Sequence, residues 1–501
     1  MKTFFSCRAS GRPLVVALLA ASVALTACGG GGGDDSPNAP VNDVAPNKPA
    51  GSAIAPVVAS AVPAASAPAA ASPSPAASAP AVASSPIAAS TPSAATPASG
   101  TSTTGGTQTA NNGSSTTGNT KANDPPPSPP VVVNTVPITV DNTLDSTIVN
   151  TPYVSVKICV PGAQGATQCA TVDHMLLDTG SAGVRVTSAA LGAAFAARLP
   201  AQTGAGNDTT GKAALAQCAI FASGYTWGPI KRADVKIGGE TASNIPIQVI
   251  GDSGFTWIPN DCTARGASSM NDVAKLGANG IVGIGHLAHD FPEAAQTALA
   301  ATYYYCPTPW SCTAATVPLD KQTANPVAAF ATDNNGTVIR LPALPATGQA
   351  SVTGELLFGI GTRDNNALPA GATRLTVTDR GLFTTSYKGR TFSSIIDSGS
   401  NGLFFYDSTL PAISGGWYVP TITQNLSASM MSNTGNAQST VPFAIADSSS
   451  LFPLGYAAHD NLGAPLNSMF MWGLPFFFGR SVYTALSGVL AGPQTGPYVA
   501  F

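Results

Sequence analysis

The sequence predicts an all-β domain built as two related halves with a few short helices, and three observations carry that prediction. Short runs at residues 153–158, 233–237 and 245–250 alternate or pack apolar side chains, with Gly, Pro, Asn and Ser between them, as strands joined by turns do. Helical periodicity is scarce by comparison. One short string also occurs twice: Asp178-Thr179-Gly180-Ser181 follows Met175-Leu176-Leu177, and Asp397-Ser398-Gly399-Ser400 follows Ile395-Ile396. Each copy leads into a further apolar run, Val184 and Val186 in one case and Leu403-Phe404-Phe405 in the other, so the pair points to a long internal duplication.

A single Asp-Thr-Gly or Asp-Ser-Gly is an ordinary turn, because Asp and Ser cap nearby backbone and Gly accepts conformations other residues avoid. Two copies, each placing a carboxylate at the end of an apolar strand, point to chemistry instead. Two carboxylates brought face to face cannot both ionise easily. They share one proton, which leaves a base to activate water and an acid to protonate a substrate.

Residues 1–28 have the pattern of a bacterial lipoprotein signal. Lys2, Arg8 and Arg12 precede an apolar run, residues 13–24, which is shorter than the ~20 residues that cross a bilayer as a helix. Leu25-Thr26-Ala27-Cys28 then reads as a lipobox with Cys28 as the lipidated residue. The alternative is an ordinary secretory signal with a chance Cys. Gly29 after the Cys, by resemblance to other bacterial lipoproteins, favours the outer membrane, on its periplasmic or surface face. Residues 29–130 are dominated by Ala, Pro, Ser, Thr and Gly and hold few large apolar side chains. Burial there cannot offset the entropy of ordering, so the segment reads as a disordered tether. A formal net charge of −3 gives no basic footprint for nucleic acid.

In the remaining folded part, residues 188–199 are Ala-rich and read as one helix, and residues 292–304, with Pro292 suited to a first turn, as another. Eight Cys are present; Cys7 falls in the signal and Cys28 at the lipobox, leaving six. An even number in an exported chain points to disulfides. Local pairing gives Cys159 with Cys169 and Cys306 with Cys312, which leaves Cys218 with Cys262; other pairings remain open. Zinc is the alternative, but no Cys-x-x-Cys spacing occurs, and His286-x-x-His289-Asp290 is the one His cluster. No metal or cofactor is expected, and His174, His286, His289 and His459 are assigned structural or surface roles.

With these residues in hand, the folded part resembles the pepsin-type aspartic proteases. Asn150-Thr151-Pro152-Tyr153 and Leu176-Leu177-Asp178-Thr179-Gly180-Ser181 are similar to the entry of that family's first lobe. Gly280-Ile281-Val282-Gly283-Ile284-Gly285 resembles the strand threading beside the first catalytic loop. Gly354-Glu355-Leu356-Leu357-Phe358-Gly359, Ser394-Ile395-Ile396-Asp397-Ser398-Gly399-Ser400 and Met471-Trp472-Gly473 resemble the opening, the catalytic loop and the closing strand of the second lobe. The matches stand in family order. The resemblance implies a bilobal fold with pseudo-two-fold related lobes, 131–345 and 346–501, and a monomer that hydrolyses peptide or protein substrates. Asp178 and Asp397 would be the catalytic dyad. Thr179 and Ser398 would exchange hydrogen bonds across the lobes, Ser181 and Ser400 would bond the outer oxygens of their Asp, and Gly180 and Gly399 would let backbone amides approach. The chain also resembles proteobacterial lipoproteins that share the paired motifs.

The chain departs from that family at two places. The family's flap hairpin corresponds to residues 221–236 here, with Phe221 where the flap Tyr stands and Tyr225 and Trp227 nearby. Plain strand packing is the other reading of these aromatics. After the first motif the family has a Trp-bearing strand, where this chain has Ala182-Gly183-Val184-Arg185. Arg185 either reaches a carboxylate near the cleft or is solvated. Three functions are thus in play: a tethered aspartic peptidase, a catalytically inactive pepsin-fold protein binding peptide or glycan, and a structural envelope or adhesion lipoprotein.

Overall fold

The computed structural model describes residues 133–501, apart from 164, 267, 414 and 415. Cys28, the signal and the segment 29–130 lie outside the described residues. The described part is predominantly β, with only short helices. Its first strand, Thr135–Val140, pairs antiparallel with Val352–Phe358, Thr135 opposite Leu357. The alternation puts Val136, Ile138 and Val140 into the core on one face. From this strand Val352–Phe358, Gly336–Leu341, Arg480–Ala485, Tyr498–Ala500 and Arg374–Thr376 continue in a single run, so this central sheet draws on distant stretches of the folded chain.

One three-strand arrangement occurs twice. In the first lobe, Cys169–Asp178 runs into the Asp loop and Ala182–Thr187 leaves it. Gly280–Ile284 threads between them, parallel to the first (Asp178 opposite Gly283) and antiparallel to the second (Ala182 opposite Ile284). In the second lobe, Met469–Trp472 lies parallel to Arg390–Ile396 (Ile396 opposite Trp472) and antiparallel to Leu403–Phe404 (Leu403 opposite Trp472). The threading strands are buried on both faces, which is why they read as unbroken apolar runs rather than alternating ones. A side chain at Gly283 would stand 2.6 Å from the Ser181 hydroxyl, and one at Gly473 would stand 2.2 Å from the Gly402 carbonyl, so glycine is required where the backbones press together. The fold is therefore all-β and bilobal, with the pseudo-two-fold relation that the duplicated strings imply.

Neither predicted helix forms as a single helix. Residues 188–199 break at Gly192 (φ 82°) into Ser188–Leu191, capped by Thr187, and Ala193–Ala196. Helical Ala propensity did not extend through a residue outside the helical region. Of residues 292–304, only Pro292–Ala295 forms a short turn, and Tyr303–Thr308 is a strand. Aromatic residues fit a pleated, half-buried surface, and Ala301 turns the chain at φ 53°.

The six cysteines pair as Cys159–Cys169, Cys218–Cys262 and Cys306–Cys312. Cys218–Cys262 joins the strand Ala214–Phe221 to the helix Asn260–Gly266 across a separation of 44 residues. Replacing both of these cysteines with Ala is expected to cost about 2–4 kcal/mol, because the unfolded chain regains loop freedom. Removing Cys306–Cys312, which closes only 6 residues, should cost less. Urea unfolding midpoints of the two double variants check the ranking.

Candidate active site

Each Asp loop turns its own backbone onto its carboxylate. The Gly180 N–H donates to Asp178 Oδ1 at 2.8 Å and the Ser181 hydroxyl to Oδ2 at 2.6 Å. In the other lobe the Gly399 N–H donates to Asp397 Oδ1 and the Ser400 hydroxyl to Oδ2, both at 2.9 Å. Both aspartates are 0% exposed, and their carboxyls are hydrogen-bonded to each other. The approach is close enough that a side chain at Gly180 would come within 2.7 Å of the Asp397 carboxyl carbon.

The loops are locked by a reciprocal set of bonds between lobes. The Thr179 N–H donates to the Ser398 hydroxyl (3.1 Å) and the Ser398 N–H to the Thr179 hydroxyl (2.9 Å). Each hydroxyl then donates onward, Ser398 to the Leu177 carbonyl (2.7 Å) and Thr179 to the Ile396 carbonyl (3.4 Å). A hydroxyl is needed at both positions because the group must accept and donate at once. Ser398→Ala should therefore strand the Thr179 N–H and the Leu177 carbonyl, destabilising the domain by about 1–3 kcal/mol. Ser398→Thr, which keeps the hydroxyl, should stay near wild type. Thermal unfolding of both variants checks this.

Burial raises both carboxyls above the usual carboxylate range. Asp397 is raised well above it, because the charge of Asp178 adds to burial. On Asp178, burial is opposed by the Ser181 and Asp397 hydrogen bonds, the Gly180 amide and the Arg185 charge. Each carboxyl opposes ionisation of the other, so the pair holds one proton between them and titrates as a unit.

Phe221, Tyr225 and Trp227 are all buried. The hairpin consists of Ala214–Phe221 and Gly224–Ile237, paired Phe221 to Gly224, so Phe221 stands at its turn and residues 221–236 cover mainly its second strand. Phe221 packs with Tyr153, Leu176 and Ile281, beside the strand that ends in Asp178. Tyr225 and Trp227 pack instead around the Cys218–Cys262 disulfide, where Trp227 Nε1 donates to the Phe255 carbonyl (2.9 Å) and its ring meets Tyr304 edge-on. These two residues follow the strand-packing reading.

Arg185 does reach a carboxylate: its Nη2 donates to Asp290 Oδ2 at 2.8 Å, with both side chains 3% exposed. Asp290 is thereby committed to an arginine, while His286 Nδ1 lies 2.7 Å from the Ala485 carbonyl. His286, His289 and Asp290 therefore do not form a ligand set, and among the described residues no group of three or more His, Cys, Asp or Glu side chains is placed to hold a metal ion. His174 borders Asp141 and Asp173, and the His459 N–H donates to Asn150 Oδ1. Asn150, which the sequence marks only as part of the first-lobe entry, also joins the site: its amide donates to the carbonyls of Asn401 and His459, tying that entry to the second Asp loop.

Among solved structures, the chain is similar to the aspartic proteinase from Irpex lacteus, at 17% identity, covering 73% of this chain and 96% of that chain with a TM-score of 0.40. No curated protein matches its sequence. A family model matches residues 130–501, and the chain belongs to that family, described as "Protein of unknown function (DUF3443)".

Proposed function

We propose that this protein is an aspartic-type endopeptidase that hydrolyses peptide bonds with water activated by Asp178 and Asp397. One observation carries the reading: two buried, mutually hydrogen-bonded carboxyls, each oriented by its own Gly amide and Ser hydroxyl and locked by reciprocal Thr179–Ser398 bonds. A buried structural carboxylate is ordinarily paired with a cation; this pair is buried with its like, a cost met by sharing one proton, which leaves an acid and a base side by side. Asp178 acts as the base and removes a proton from the attacking water. Asp397 donates its proton to the carbonyl oxygen of the scissile amide, giving a tetrahedral diol. Asp178 then returns its proton to the amide nitrogen while Asp397 takes a hydroxyl proton from the diol, so the C–N bond breaks, amine and acid leave, and the dyad is restored without an acyl-enzyme.

The same proposal places the domain at the cell envelope, as a monomer on the 29–130 tether and a lipid at Cys28, most naturally at the outer membrane. The support is the lipobox pattern and the composition of that segment. A second reading, a pepsin-fold protein that binds peptide or glycan without cleaving it, is favoured by one observation: Phe221 at the hairpin turn has no hydroxyl to offer a substrate.

The deciding experiment incubates the purified protein with a mixed peptide library from about pH 3 to 8, since dyads titrate across much of that range. A statine-type inhibitor serves as control. Inhibitor-sensitive cleavage supports the peptidase. Retention of peptides or glycans without cleavage by well-folded protein supports the binding reading.

A further inference from the structure

Among the described residues, Arg185 is the one buried arginine or lysine. Its guanidinium makes four contacts at once. Nη1 donates to the carbonyls of Ala182 (2.9 Å) and Gly183 (3.4 Å), the residues directly after Ser181. Nη2 donates to Asp290 Oδ2 (2.8 Å). Its face lies 5.7 Å from the centre of the Phe221 ring, at the turn of the hairpin.

Asp290 is itself fixed from several elements. The Tyr303 hydroxyl and the Gln217 amide both donate to it. Gln217, on the hairpin strand Ala214–Phe221, accepts from the Thr323 hydroxyl (2.8 Å), and its carbonyl accepts from Gln248 Nε2 (2.8 Å). The Thr323 N–H donates to the Tyr303 hydroxyl (2.8 Å). At Gly183, where φ is 106°, a side chain would stand 2.5 Å from the Thr323 methyl, so the chain after the Asp loop is wedged as well as bonded. Every polar member of this network is buried. A planar fork with a stacking face meets all four contacts; an ammonium would bring the charge and donors but neither the fork nor the face.

We propose that Arg185 is a positioning residue that ties the loop carrying Asp178 to the hairpin turn bearing Phe221, with Asp290 as its anchor. Its kinetic consequence rests on the peptidase reading; its structural consequence does not. The charged and titratable groups around it are Asp290 and Tyr303 on one side and Asp178 toward the dyad, with Gln217 and Thr323 neutral between. Asp290 is committed to the pair, so the influence of Arg185 on Asp178 is to favour the ionised carboxylate. Loss of that charge should make Asp178 harder to ionise, and the acid limb of the pH profile should move to higher pH.

The test compares wild type with Arg185→Lys and with the double variant Arg185→Met/Asp290→Asn, which leaves no unpaired charge. Three readouts are taken on the full chain: amide exchange across residues 214–228, carboxyl titration of Asp178 by carbon NMR, and the pH profile of kcat/KM. Arg185→Lys is expected to speed exchange in the hairpin about tenfold while the Asp178 titration stays near wild type. The double variant is expected to speed exchange similarly and to lose about tenfold more kcat/KM on the acid side than on the basic side. Should wild type cleave no peptide, exchange and titration still decide, so the two readings fail separately. If the double variant does not fold, the lysine variant decides alone. Unchanged hairpin exchange in a folded variant, or exchange raised equally over the whole domain, overturns the proposal.

Discussion

Asp178→Asn and Asp397→Asn are each expected to lower kcat/KM by about a thousandfold or more, with the double variant little worse than either single one. On the proposed mechanism the two carboxyls act as one unit: removing the base or the acid disables the same proton exchange, so the losses do not add. Side-by-side kinetics near the optimum of wild type check this, and a single variant retaining a tenth of the activity would remove the dyad from the mechanism. Stability should move the other way. Both carboxyls are held above the usual range by burial, and Asp397 additionally by its partner's charge. A carboxyl raised in the folded state contributes stability that is full below its unfolded value and lost as pH rises through the folded value. The wild-type protein therefore loses stability as pH rises above the ordinary carboxylate range toward the raised folded values, and an amide at Asp397 removes its share of that loss. Denaturant midpoints at pH 4 and pH 7 should show a smaller decline for Asp397→Asn than for wild type.

Asp290→Ala is expected to produce the largest loss of stability, about 3–5 kcal/mol, because it leaves the Arg185 guanidinium buried and unpaired. It also strips acceptors from the Tyr303 hydroxyl and the Gln217 amide. The penalty belongs to the stranded charge more than to the pair, so adding Arg185→Met to Asp290→Ala should recover much of it. A double-mutant cycle by chemical denaturation gives the coupling directly. Additive losses would show that the two side chains do not depend on each other.

The dyad loops were legible because their chemistry sits in contiguous strings: the carboxylate, the cross-lobe hydroxyl, the glycine and the orienting Ser are adjacent at 178–181 and again at 397–400. The threading strand Gly280–Ile284 was legible for a related reason, since close backbone approach demands glycine and double-sided burial demands apolar neighbours. Local pairing of the cysteines matches the three bridges. The anchor of Arg185 was not legible, because Asp290 lies 105 positions away and no local pattern joins them. Tyr225 and Trp227 stand two apart, which shows that they share a face of the strand but not which face; packing against Tyr304 and Cys262 decides it. The Ala-rich stretch at 188–199 misled because propensity is a weak prior against one residue in a non-helical conformation.

The pairing of Thr135–Val140 with Val352–Phe358, in a sheet that also takes in Tyr498–Ala500, has a bearing on how the molecule comes into being. Partners from the opening and closing stretches of the folded chain must find one another before that sheet exists, so contacts of high sequence separation dominate and folding is slow. A ribosome that has finished the first lobe has not yet made the strands that complete its neighbour. The central sheet consequently stays incomplete until residues 498–500 are made, and removing 498–501 should leave an unfinished sheet edge between Arg480–Ala485 and Arg374–Thr376.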